Sequence, residues 1–132
     1  MATQHQDAYG EFRRGFDPLH REVLESLPSF LETQDYLFSH TGFDPSDILR
    51  TDAAVAGRGT SRIFSYTGPW PKRRTFFGHF VQANGEPFIS THLVCLDTGC
   101  GTIPGRPLTA FDIESGESMQ FNAESRSGDR VG

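Results

Sequence analysis

Cysteine is scarce in this chain, and positive charge is outnumbered. The two cysteines, Cys95 and Cys100, form no Cys-x-x-Cys pair and build no disulfide framework. A reducing compartment suits such usage, and Cys95, inside an apolar run, reads as a buried thiol. Twelve Lys and Arg face 17 Asp and Glu, a net charge of −5 that leaves no basic surface for nucleic-acid phosphates. Arg13-Arg14 and Lys72-Arg73-Arg74 are the local exceptions and read as solvated charge. No apolar run is long enough to cross a bilayer. The stretch Met1 to Gln6 is polar and lacks the apolar core of a signal peptide. These absences together point to a soluble cytoplasmic protein without nucleic-acid or membrane partners.

Apolar residues make up 36% of the chain, which is little for a self-sufficient core, but twelve phenylalanines enlarge what each core position can bury. With 132 residues, the chain is one domain or part of one. Residues 1–16 read as an entry segment with isolated aromatics Tyr9, Phe12 and Phe16. Asp17-Pro18 opens a short helix, with a carboxylate N-cap before a first-turn proline. Leu19, Val23, Leu24 and Leu27 form its apolar stripe, Pro28 ends it, and His20 lies exposed on it. Phe30 to Thr33 pairs as an edge hairpin with the next strand through a turn at Gln34-Asp35. Ser46 caps a brief helical turn through Ile48 and Leu49. Residues 51–61 have no usable period and read as a mobile surface loop. Their Gly57-Arg58-Gly59-Thr60 piece lacks the further glycines, the Lys-Ser/Thr end and the helix of a P-loop. Gly68-Pro69-Trp70-Pro71 is a turn with Trp70 packed, or placed at a cleft rim. Asn84-Gly85 reads as a hairpin turn, with strand on from Pro87 to Ile89 and from His92 to Leu96. Pro107 to Ile113 and Ser118 to Phe121 make a terminal hairpin, and 123–132 is a polar tail.

Three strand ends carry the chemistry. Tyr36-Leu37-Phe38-Ser39 runs into His40-Thr41-Gly42. Arg74-Thr75-Phe76-Phe77 runs into Gly78-His79, and Leu93-Val94-Cys95-Leu96 into Asp97-Thr98-Gly99. Each exit sets a histidine or an aspartate near a glycine, and a glycine there, Gly78 or Gly99, allows close approach or an unusual φ. Three such exits in succession suggest strand ends converging on one site.

These same blocks resemble the calcineurin-like metallophosphoesterases, nearest to the bacterial serine/threonine protein phosphatases and the diadenosine-tetraphosphatase-like members. Phe30 to Thr33 with Asp35 to Gly42 resembles the family's Leu-Pro…Asp-Leu-Phe-Val-His-Ala-Gly block. Phe77-Gly78-His79 resembles its Gly-His-Thr block, with Phe80 where threonine is usual. Leu96 to Cys100 resembles Ile-Asp-Thr-Gly-Ala/Cys, and Leu108-Thr109-Ala110 the Leu-Thr-Ala that follows. Order and spacing agree from about Pro18 to Ile113.

The resemblance implies an α+β fold: a mixed β-sheet with a short N-terminal helix, like the C-terminal half of a two-sheet sandwich flanked by helices. It implies that His40 and His79 are ligands of a divalent metal, Mn, Fe or Zn, and that an arginine meets phosphate. Arg62 fits that arginine best by its spacing before Gly78-His79, with Arg50 and Arg58 as alternatives. The family's first-half blocks, Asp-x-His, Gly-Asp-x-x-Asp-Arg and Gly-Asn-His-Glu, are absent. Gly128-Asp129-Arg130 is out of order.

The expectation is therefore a partial phosphoesterase domain over 17–122, truncated or split. The intact family hydrolyses phosphate esters of proteins or small molecules by a metal-bound hydroxide, and this chain alone is expected to be inactive. The alternative is a non-catalytic fragment that binds a missing N-terminal half or forms a homo-oligomer. Such a fragment should leave an apolar sheet face or strand edge uncovered around Phe38, Phe76 or Val94.

Overall fold

The computed structural model describes residues 3–47 and 59–122. Residues 1–16, read from sequence as an entry segment, instead carry helix α1 (Thr3–Gly15). Its helix-forming residues outweigh the cost of Gly10, and Tyr9, Phe12 and Phe16 fall at helical spacing. Phe12 and Phe16 meet at 5.6 Å. Helix α2 (Pro18–Ser26) starts as expected, with the Leu19 N–H donating to Asp17 Oδ1 at 2.8 Å. Among the described residues of the two helices none is buried, and the stripe of α2 faces solvent, with Leu19 70% exposed.

The body is a five-stranded mixed sheet with the order β1-β2-β3-β5-β4. Its strands are β1 (Phe30–Glu32), β2 (Tyr36–Ser39), β3 (Arg74–Phe77), β4 (Phe88–Ile89) and β5 (Leu93–Cys95). The edge pairs β1–β2 and β4–β5 are antiparallel, while β2–β3 and β3–β5 are parallel. The expected edge hairpin is present: the Tyr36 N–H donates to Thr33 Oγ1 at 3.1 Å across the Gln34-Asp35 turn. Parallel strands are covered on both faces, and burial accordingly runs without alternation through Thr75–Phe77 of β3 and Leu93–Cys95 of β5.

One face holds the core. Phe43, Ile63, Phe77, Leu93 and Cys95 form it, and Phe64, Trp70, Phe80 and Phe88 pack around them. Ile63 comes from a short 3-10 turn, Ser61–Ser65, which begins at the last residue of the loop expected over 51–61. Phe64 meets Phe80 and Phe88 edge to face at 5.8 and 5.2 Å, a geometry aromatic rings favour. The other face carries the row Leu31–Phe38–Phe76–Val94–Ile89 across all five strands.

That row corrects the expectation of an uncovered face. Phe76 and Val94 are buried, and only the row's ends, Leu31 and Ile89, are exposed. The terminal hairpin, β6 (Leu108–Phe111) and β7 (Ser118–Phe121), forms a second, two-stranded sheet, and its Phe111 packs on Phe76 at 5.4 Å. Arg74 lies over both rings and donates through Nη2 to the Ser90 carbonyl at 2.7 Å.

Two further differences are local. Asn84-Gly85 does not join two paired strands. The Gly85 N–H donates to the Gln82 carbonyl at 3.1 Å, which closes a loop turn ahead of β4. Asp44, not Ser46, organises the turn Pro45–Asp47, accepting from the Ser46 N–H and hydroxyl at 3.0 and 2.8 Å. Ile48, Leu49, residues 51–58 and the tail 123–132 lie outside the described residues.

Candidate metal site at the strand exits

Parallel pairing sends the C-terminal ends of β2, β3 and β5 to one edge of the sheet. In open sheets this is the edge where ligands bind. His40 is the first residue after β2, and His79 is the second after β3. The two exits are tied together, since the Gly78 N–H donates to the His40 carbonyl at 2.9 Å. The third is tied to the second, with the Leu96 N–H donating to the Phe77 carbonyl at 2.9 Å.

The imidazoles meet. His79 Nδ1 and His40 Nε2 are 3.2 Å apart, with the rings edge to face at 5.0 Å between centroids. Both residues are exposed. Phe80 packs edge to face on His79 at 5.1 Å and so fixes one side of that ring. Without a cation the contact is a hydrogen bond in which one ring nitrogen donates and the other accepts.

Backbone strain is concentrated here. His79 has φ 67, and it stands alone among the described non-glycine residues in having a positive φ. Close approach or an unusual φ was expected at Gly78 and Gly99; Gly99 has φ 93, but a Cβ on Gly78 would meet only ordinary contacts, Asp97 Cβ at 3.8 Å and the His40 carbonyl at 3.9 Å. The turn is displaced by one residue onto the histidine. A left-handed non-glycine residue costs roughly 1–3 kcal/mol and tends to mark a functional position.

Asp97 is at the same edge, but its groups serve its own loop. Its Oδ1 accepts from the Gly99 N–H at 3.1 Å, and its carbonyl accepts from the Gln82 N–H at 2.8 Å. Among the described residues no third His, Cys, Asp or Glu joins the two imidazoles in a metal-sized cluster.

Arg62 lies in the Ser61–Ser65 turn, with its Nη2 3.5 Å from Asp44 Oδ2, four residues beyond His40. Hydrogen bonds from the Ser46 backbone and hydroxyl, then the Arg62 charge, hold the Asp44 carboxyl below its ordinary range. Arg50 and Arg58 fall outside the described residues.

Gly59 was not singled out by the sequence as a contact, yet its N–H donates to Thr41 Oγ1 at 3.0 Å. A Cβ on Gly59 would clash with the Thr41 carbonyl oxygen, so only glycine fits. This contact docks the chain leading to Arg62 against the His40 exit. The glycine in Gly-Arg-Gly-Thr was the available signal.

His20 and His92 are elsewhere. His20 is on the exposed α2. His92 stacks on Trp70 at 4.7 Å, with the planes 5° apart, and its carbonyl accepts from the Thr75 N–H at the start of β5. Asp97 lies five positions further along the chain, past β5, about 16 Å away if the run is extended throughout. Trp70 is therefore packed, and His92 and Asp97 belong to opposite ends of the sheet.

The donor set decides what can bind. Two neutral imidazoles suit one borderline cation and leave its other positions open. They do not suit a pair of cations, because a two-metal centre needs carboxylate ligands that His40 and His79 cannot supply. No helix among the described residues is long and apolar enough to cross a membrane. No family model matches the chain, and no curated protein matches it.

Proposed function

We propose that this chain is the C-terminal part of a calcineurin-like metallophosphoesterase, serine/threonine protein phosphatase-like in its motifs and inactive on its own. What supports the reading most is the meeting of His40 Nε2 and His79 Nδ1 at 3.2 Å on one edge of parallel strands. Those two residues were selected by motif position, and they are adjacent in space.

In this reading His40 and His79 hold one divalent cation, of the Mn, Fe or Zn class, from one side. Arg62 turns from Asp44 to a phosphate group, for which its planar fork is suited. A cation so held supplies Lewis-acid polarisation of a phosphoryl oxygen. The chain's residues can bind and orient a phosphate ester, of a protein or of a small molecule. Among the described residues no second cation site and no acid for the leaving group stand beside the pair. Orientation alone recovers only part of a hydrolytic barrier.

The isolated chain with manganese should hydrolyse p-nitrophenyl phosphate hardly faster than manganese alone. Adding the missing half from a related phosphatase should raise the rate, and His40→Ala or His79→Ala should abolish the gain. Brisk turnover by the isolated chain that survives the double histidine substitution would overturn the reading.

A second reading, a non-catalytic interaction fragment, is favoured by the outer face of the terminal hairpin. Leu108, Met119 and Phe121 share that face and are 59%, 49% and 55% exposed, while Thr109 faces inward and is buried. Exposed apolar strands of this kind invite a partner. Association that persists in a metal chelator and is lost in Phe121→Ser would select this reading.

A further inference from the structure

The histidine pair has the span of half a tetrahedral site. Nitrogens bound to one zinc at about 2.0–2.1 Å stand roughly 3.3 Å apart across a tetrahedral angle. The 3.2 Å between His79 Nδ1 and His40 Nε2 meets that span before any metal arrives. Three features hold the two nitrogens there. The backbone bond from Gly78 to the His40 carbonyl fixes the strand exits, Phe80 buttresses one ring, and the left-handed backbone at His79 turns its ring toward His40.

The rest of the coordination sphere is open. Both residues are exposed, and among the described residues there is no third ligand beside them. A zinc ion held by two imidazoles is short of the four ligands it prefers. A second copy of this chain offers the same two nitrogens on the same exposed edge. A two-fold axis through the ion makes the contact self-complementary and closed. Each chain carries a formal charge of −5, so two copies repel, and a dication between them offsets part of that repulsion.

We infer that a borderline divalent cation, zinc above manganese, joins two copies of this chain through four imidazole nitrogens, His40 Nε2 and His79 Nδ1 from each. The inference rests on the metal-binding part of the function proposed above, and it names the second copy as the partner of that site. Neutral nitrogen donors favour zinc over manganese by the ordinary affinity order of divalent ions.

The test is sedimentation of the full chain in chelator and with half an equivalent of zinc chloride, with zinc X-ray absorption on the same sample. The expected result is a 14.7 kDa monomer in chelator and a particle of twice that mass with zinc, reversed by EDTA. The absorption spectrum should show four nitrogen neighbours per zinc. His40→Ala and His79→Ala should each abolish the dimer, while His20→Ala and His92→Ala should leave it. Circular dichroism of each variant separates loss of the site from loss of fold.

Zinc bound one to one by a monomer, with two nitrogen and two oxygen neighbours, would overturn the bridged dimer and leave the metal-binding pair standing. No zinc at His40 and His79 would overturn both. A dimer equally present in chelator, or one that survives His79→Ala, would also overturn the inference.

Discussion

His79 occupies a backbone conformation that a glycine would adopt without strain, at φ 67. Left-handed geometry costs a non-glycine residue roughly 1–3 kcal/mol, and the extra freedom of an unfolded glycine returns about 0.5–1 kcal/mol of that. His79→Gly should therefore be as stable as the native chain or more stable by up to about 2.5 kcal/mol. It should also lose every response to zinc. Urea unfolding with and without zinc measures both effects. A substantial loss of stability would show that the strain is not where the geometry puts it. The sequence could not show this position, because Gly78 precedes it and glycine is the expected carrier of unusual φ. The pairing of His40 with His79 was legible, because each lies one or two residues past a short β-prone run.

At the scale of elements, legibility followed the period of the residues. The β1–β2 edge hairpin, the cap of α2 and the terminal hairpin each have a local signal, and each formed as read. Helix α1 was missed because three widely spaced aromatics and two glycines hide a helical period. The turn at Ser61–Ser65 was missed because Ile63 acquires its meaning only from packing against Phe43, Phe77 and Leu93. The cover over Phe76 was missed for the same reason, since it comes from Phe111 in a strand distant in sequence.

The terminal hairpin also depends on a titrating group. Backbone N–H bonds from Ser115 and then Glu114 hold the Asp112 carboxyl below its ordinary range. A depressed carboxyl stabilises the fold above its unfolded pKa, near 3.9, and that contribution is lost as pH falls through the lower folded value. The amide resonances of Glu114 and Ser115 should accordingly move together in an acid titration, with a midpoint below about 3.9. In Asp112→Asn that movement should vanish. A midpoint above the ordinary carboxylate value would contradict the capping geometry.

For the whole molecule, the parallel centre of the sheet explains why the site lies at one edge. Parallel strands require crossovers, and crossovers bring every strand back in the same direction. The exits of β2, β3 and β5 thus share an edge as a consequence of topology, although three glycine-flanked exits in sequence had only suggested it. The helices and the outer face of β6–β7 leave apolar side chains exposed.

The proposed metal site consists of two nitrogens. Long-range proton–nitrogen correlation spectra of the histidine rings, recorded during a zinc titration, observe them directly. The predicted result is a large, saturable shift at Nε2 of His40 and at Nδ1 of His79, with His20 and His92 unmoved. Shifts spread evenly over all the histidines, or none at His40 and His79, would contradict a metal site at the strand exits.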